Sequence, residues 1–208
     1  VSEVEHGLLN YIQEILNALI DEYNVIDDVR SEVLSRLHRL FSRIRKAFNM
    51  LYNRDISNSK ELLIEIISDL KFINELISST ENSSKIEKVV KDVYREAVEA
   101  VFLYIFISGD LDILHHIDFV DNKTIINGFF EFLGEVRRLF IDEAIKGDIN
   151  IISKYLEFMD SSYRLLFSKY FPNYYFPEYK RRVDMLRSQV EKSKEDYIRI
   201  KYGGKSEY

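Results

Sequence analysis

The chain of 208 residues has no cysteine, no tryptophan, two prolines and seven glycines. An ordinary chain is roughly 12% Gly and Pro together; here they are 9 of 208 residues. From Leu8 to Ser108 neither occurs, a run of 101 residues. Gly and Pro build hairpin turns and αβ loops, so a sandwich, barrel or Rossmann sheet is not expected. Without cysteine there is no disulfide scaffold and no thiol nucleophile, and a cytoplasmic location is the expectation. Long apolar runs are also missing. The longest, Ala100 to Ile107, is eight residues, far below the ~20 that span a bilayer. The acidic start, Val1-Ser2-Glu3-Val4-Glu5, lacks an apolar stretch and does not read as a signal peptide. No Gly-x-Gly-x-x-Gly, P-loop or Gly-x-Ser-x-Gly occurs. A net charge of −6 argues against a generally basic surface but leaves room for a local basic strip.

What is present is helical periodicity. Leu8, Leu9, Ile12, Ile15, Leu16, Leu19 and Ile20 recur every three or four residues, and Leu34, Leu37, Leu40, Phe41, Ile44 and Phe48 continue the pattern to about Tyr52. Asn24 to Asp28 reads as a break. Asn58 with Glu61 resembles a capping box opening a second helix, Leu62 to Ile77. Ser84 with Glu87 resembles another, opening a third that Gly109 stops after Ile107. A short fourth helix or turn spans Leu111 to Ile117. Asp121 or Thr124 starts a fifth helix that ends before Gly147. Asp148 caps a sixth, Ile149 to Phe167. The stretch 170–179, with both prolines, is the sharp corner. The last helix runs from about Glu178 to Lys201, ending at Gly203-Gly204. The expectation is an all-α bundle of about seven helices, read as one domain over 1–208.

Carboxylates in apolar surroundings are the first chemical signal. Glu96 and Glu99, three apart, share one face of the third helix. Glu131 and Glu135, four apart, share one face of the fifth, Glu131 between Phe130 and Phe132. Such acids are costly unless paired, protonated or metal-bound. Should the two helices face each other, the four oxygen donors suit Mg²⁺ or Mn²⁺ with positions left for water and a phosphate. Ordinary solvated helix faces are the alternative. A di-iron bundle would need two inward Glu-x-x-His motifs. Only Glu3-x-x-His6 occurs, and His115-His116 has no matching Glu.

Basic residues form two stripes. Arg36, Arg39, Arg43 and Lys46 lie along one helix face. Lys88, Lys91 and Arg95 lead directly into Glu96 and Glu99. A cationic strip entering a carboxylate cluster is what phosphodiester cleavage would use, with the cations holding the backbone. A solvated face again explains either stripe alone.

At these residues the sequence resembles the translin/Trax family. Gly128-Phe-Phe-Glu-Phe-Leu-Gly134-Glu135-Val-Arg-Arg138, continuing to Lys146-Gly147-Asp148, has the spacing of that family's G-x-x-D-L-x-G-E-L-x-R helix and following Gly-Asp turn. Arg95-Glu96-Ala97-Val98-Glu99-Ala100-Val101 is similar to its Y-V-E-A-V helix. Phe158-Met-Asp160-Ser-Ser-Tyr-Arg164-Leu-Leu166 is similar to its D-x-G-F-R-L-L segment. Lys180-Arg181-Arg182-Val183 to Arg199 resembles its closing helix.

The resemblance implies an all-α fold of seven helices, a translin-like α-α superhelix. It also implies a hollow homo-oligomer, an octamer, that binds single-stranded RNA or single-stranded DNA. Trax-type members carry a Mg²⁺-dependent endoribonuclease site; translin-type members bind without cleaving. By position, Glu96, Glu99, Glu131 and Glu135 take the metal-binding and catalytic places, with Glu131 standing where the family has Asp. Lys85, Lys88, Lys91 and Arg95 occupy the nucleic-acid-binding region. The chain thus looks like an archaeal-type, single-subunit Trax-like endoribonuclease with no membrane role. Gly128 and Gly134, on the helix bearing Glu131 and Glu135, are expected to admit another helix or the substrate backbone close to the acids.

Overall fold

The computed structural model describes the backbone over residues 3–79 and 84–203, and side chains over 4–79 and 90–203. Among the described residues there are six α-helices, one 3-10 helix and no strand. They are α1 (Glu3–Tyr52), α2 (Ile56–Ser78), α3 (Ser84–Ser108), a 3-10 turn (Asp112–Ile117), α4 (Asn122–Lys146), α5 (Ile149–Phe167) and α6 (Tyr179–Tyr202). The all-α expectation holds, and the short fourth element is the 3-10 turn.

Two boundaries differ from the sequence pattern. No break occurs at Asn24–Asp28: α1 runs unbroken for 50 residues. Those five residues are weak helix formers, but each costs only a few tenths of a kcal/mol, and helix already formed on both sides propagates through them. Nor does α2 open at Asn58. Asp55 is its N-cap, and Asn58 Nδ2 donates to both Asp55 oxygens at 2.9 Å. The Asn58 side chain therefore braces the turn from inside the helix. The Ser84–Glu87 capping box and Gly204 lie outside the residues whose side chains are described.

The remaining stops and starts follow the sequence. Gly109 at φ 77° and Gly147 at φ 82° take the left-handed conformation that favours glycine. The Gly147 N–H donates to Glu143 O at 3.0 Å and to Ala144 O at 3.2 Å. Asp121 Oδ1 accepts from the Lys123 and Thr124 N–H groups, and Asp148 Oδ1 from those of Asn150 and Ile151, all at 3.1 Å. The corner after α5 turns on Pro172, whose carbonyl accepts from Tyr175 N at 2.9 Å and Phe176 N at 3.0 Å.

The chain divides into two compact units: 1–97 with 115–119, and 98–114 with 120–208. No linker separates them in sequence, because α3 continues across residue 97. In the first unit Val33, Leu37, Leu40, Ile44, Ala47 and Leu51 are buried at alternating steps of four and three residues along α1, a heptad seam. It packs against α2, which buries Leu63, Ile66, Ile67, Leu70, Ile73 and Ile77. From Val4 to Val25, by contrast, every α1 residue is exposed.

In the second unit α4, α5 and α6 pack on one another. Leu133, Val136, Phe140, Ile152, Met159 and Val190 lie in this core. Phe102 and Phe106 of α3 enter an aromatic cluster with Phe129, Phe132 and Phe158, ring centroids 5.0–5.9 Å apart. Polar links tie α6 to its neighbours. Arg137 donates to Ser193 Oγ and, at 2.7 Å, to Asp196. Asp160 on α5 accepts from Arg164 at 2.9 Å and from Lys194 of α6.

The Lys194 hydrogen bond, aided by Arg164, holds the Asp160 carboxyl below its ordinary value. A depressed folded-state pKa stabilises above the unfolded value and is lost as pH falls through the folded one. Asp160→Asn should therefore cost about 1 kcal/mol or less at pH 7. Urea titrations from pH 7 down to pH 3 should show the wild-type advantage shrinking with acid.

Candidate functional site

The acidic pairs sit on α3 and α4 as their spacing requires. Glu96 and Glu99 are half-buried on α3, flanked by the buried Ala97, Val98 and Ala100. Glu131 and Glu135 lie one turn apart on α4, with Phe130, Phe132, Leu133 and Val136 buried around them.

The two α4 acids have different surroundings. The Glu131 side chain is 41% exposed, and its Oε1 accepts from Arg182 Nη1 of α6 at 2.9 Å. The Arg182 guanidinium also lies 6.0 Å from the Phe130 ring centroid. The Glu135 side chain is only 23% exposed. Its Oε2 is buried without a hydrogen bond; Arg138 Nη1, at 3.8 Å, is too distant to make one. Burial raises the Glu135 pKa, Arg138 works against that rise, and Asp142 adds to it.

Mg²⁺ is the ion that the resemblance implies. The donor set, four carboxylates, has the right chemistry for a hard cation, and Glu135 offers a buried oxygen with no donor. Among the described residues no three His, Asp or Glu side chains converge closely enough to hold a metal ion. For Glu131 the Arg182 ion pair is a physical reason. Glu96 and Glu99 are thus on α3, and Glu131 and Glu135 on α4, the helices that the sequence pattern gives them.

Arg182 is the residue that the sequence pattern did not single out. It stands 51 positions from Glu131, and no local spacing links them. With Arg181, Met185, Leu186 and Gln189 of α6 it lines a cavity of about 250 Å³ closed on the α4 side by Phe130, Glu131 and Gly134. A cluster of basic residues at the start of α6 was the available signal.

The basic stripes fare unequally. Lys91 is exposed, and Arg95 Nη1 pairs with Asp92 at 3.1 Å. The side chains of Lys85 and Lys88 lie outside the described residues. In the other stripe Arg43 bridges to Glu65, at 2.5 Å, and to Asp69 of α2. Arg36 pairs with Glu32 at 2.5 Å and sits 4.4 Å over the Phe72 ring. Both serve the first unit's own packing, while Arg39 and Lys46 remain exposed.

This arrangement of helices is known from other proteins. The chain is similar to the crystal structures of AfC3PO (Archaeoglobus) and apo-NeC3PO (Nematostella). The first has a TM-score of 0.70 at 24% identity, covering 94% of this chain and 97% of that one. The second has a TM-score of 0.76 at 21% identity, covering 89% and 96%. The structure of AfC3PO with duplex RNA matches with a TM-score of 0.71 over 96% of this chain and 99% of that one, again at 24% identity. These neighbours are of the translin/Trax type, so the fold that the resemblance implied is the fold found. In sequence the chain is 26% identical to an uncharacterised protein of Methanocaldococcus jannaschii over 187 residues, 88% of this chain and 81% of that protein. No protein-family model matches.

Of the two approaches expected at Gly134, that of another helix is not seen among the described residues: a Cβ built there meets nothing within 4 Å, and its φ is not in the left-handed region. Gly134→Ala should therefore raise stability by about 0.5–1 kcal/mol through helix propensity. Denaturant titration checks it, and a loss of stability would show that a Cβ is not accommodated there.

Proposed function

We propose that the chain is an RNA-binding homo-oligomer, an octamer, and a Mg²⁺-dependent endoribonuclease acting on single-stranded RNA in the cytoplasm. The observation that supports this reading best is the acidic pairs on α3 and α4 of a fold similar to that of C3PO, one relative of which was solved with duplex RNA. Glu96, Glu99, Glu131 and Glu135 would supply oxygen ligands. Mg²⁺, or Mn²⁺ in its place, would activate water and neutralise phosphate charge. The chain's own residues hold and orient the strand: Lys91 and Arg95, with Lys85 and Lys88 preceding them, offer phosphate contacts one turn before the acids.

A second reading is a non-enzymatic binder of single-stranded RNA or DNA. The Arg182–Glu131 ion pair favours it, because it satisfies one of the four acids without a metal.

The two readings separate in one assay of labelled single-stranded RNA, with a duplex control, incubated with Mg²⁺ or EDTA. The enzyme reading expects cleavage with Mg²⁺ alone, lowered ~100-fold or more by Glu99→Ala while binding persists. Binding without Mg²⁺-dependent cleavage would select the second reading. Undiminished cleavage by Glu99→Ala would remove the site assignment. For either, Lys88→Ala/Lys91→Ala/Arg95→Ala should weaken binding and flatten its salt slope by about three units at most. An unchanged slope would move the RNA contacts elsewhere.

A further inference from the structure

We infer that the corner between α5 and α6 is a base-stacking platform for single-stranded RNA. This rests on the RNA-binding reading above and adds a contact from the second unit to those of Lys91 and Arg95. Seven aromatic side chains fall within the 13 residues from Phe167 to Tyr179. Three of them build the corner. Phe176 and Tyr179 are buried. Phe171 meets the Tyr179 ring edge to face at 4.8 Å, and the Tyr179 hydroxyl donates to Leu166 O at 2.8 Å. Pro172 and Pro177 fix the backbone on either side of the tip. Other rings face water on this pinned frame. Tyr170 is 81% exposed and Tyr174 is 88% exposed, which leaves their ring faces open. Tyr175 is 52% exposed, with Lys123 Nζ 4.1 Å from its ring centroid.

The chemistry of the corner selects the occupant. From Phe167 to Arg182 there is no Ala, Val, Leu, Ile or Met. No aliphatic side chain joins the rings into the contiguous apolar patch that marks a protein contact. A tip that enters a membrane carries Trp, Phe or Leu at its point; here the point is Asn173-Tyr174-Tyr175, each with a polar group. Open rings among cations are what an unpaired strand needs, since every base has a π-face and every phosphate a negative charge. The cations are there, in a chain of net charge −6. Between Asp160 and Glu178 the sequence has Arg164 and Lys169 and no acid. Those two flanking acids are engaged, Asp160 by Arg164 and Glu178 by Arg181, each at 2.9 Å. Lys123, Lys169 and Lys180 are exposed. Asp184, one turn beyond Lys180, offsets part of their charge. An open cavity of about 640 Å³ beside the tip, lined in part by Asn173, Lys180, Arg181 and Ser188 with Glu178 and Asp184, gives the strand a concave path along α6. The frame that pins the corner also lowers the ordering cost of binding.

The test is the binding of a fluorescein-labelled single-stranded oligouridylate to the full chain, read by anisotropy in EDTA, with an RNA duplex of equal length as control. Tyr170→Ala/Tyr174→Ala should weaken single-strand binding about five-fold or more for each ring. Its salt slope should stay at the wild-type value, because stacking releases no counterions. Duplex binding should not change, since duplex bases are already stacked on one another. Tyr170→Phe/Tyr174→Phe, which keeps both rings, should bind as wild type does. Lys169→Ala/Lys180→Ala should flatten the salt slope by about 1.4 units at most. The thermal midpoint and light-scattering mass of the Tyr→Ala variant should match those of wild type, because both side chains stand outside the core. A wild type that binds RNA and a Tyr→Ala variant that binds it equally well would overturn the platform and leave the RNA-binding reading standing. A wild type that binds neither RNA would overturn both. A Tyr→Phe variant as weak as the Tyr→Ala variant would assign the effect to the hydroxyls and overturn stacking. A fall in mass with the Tyr→Ala variant would make the corner an interface between copies, and sedimentation with phosphatidylserine vesicles that this variant alone loses, at unchanged RNA affinity, would make it a membrane contact; either overturns the platform.

Discussion

The structure depends on a mismatch of length between two paired helices. α1 has 50 residues and α2 has 23. At 1.5 Å per residue they are about 75 Å and about 35 Å long. One seam of heptad-spaced residues, Val33 to Leu51, finds α2 and is buried. The same side of the helix continues toward the N-terminus, where every residue from Val4 to Val25 is exposed. No Gly or Pro lies between Leu8 and Tyr52 to interrupt α1. Arg43, bridging to Glu65 and Asp69, and Arg36, over Phe72, fasten the half that is covered.

The second unit is held differently. Its core is aromatic and aliphatic, but polar contacts set how α6 lies on α4 and α5. Arg137 reaches Ser193 and Asp196, Arg182 reaches Glu131, and Lys194 reaches Asp160. Two of these begin on α4 within six residues of one another. The helix that carries the candidate acids is thus also the helix on which α6 docks, and Glu131 takes part in both.

The parts of the fold written in local chemistry were legible from sequence. Asp121, Asp148, Gly109 and Gly147 cap or stop helices by groups within a few residues of themselves, and each acts as its residue type dictates. Asn58 failed because a capping box is a pattern of residue types. Asp55, three residues earlier, holds the N-cap position without a side-chain capping hydrogen bond, and Asn58 donates to its carboxylate from inside the helix. Asn24–Asp28 failed because propensity is a small local term and helix continuation is cooperative. Within the site, the helices and faces of Glu96, Glu99, Glu131 and Glu135 followed from spacing. The Arg182 partner did not, since it comes from a contact between chain segments 51 residues apart.

The Glu131 contact and the Glu135 vacancy carry unequal weight. An ion pair with one side chain 41% exposed contributes from nothing to about 1 kcal/mol. It positions Glu131 toward α6 without binding it there strongly. A buried carboxylate oxygen lacking a hydrogen bond costs ~1–3 kcal/mol. Arg138, itself 61% exposed and 3.8 Å away, offsets little of that. Of the two α4 acids, Glu135 is therefore the one whose environment is incomplete within the chain. A proton relieves it by neutralising the charge, and the upward pKa shift is in that direction. A cation relieves it by supplying the missing partner. Glu135, a buried acceptor without a hydrogen-bond donor, is what sets it apart from the Glu131 carboxylate one turn away, which Arg182 reaches.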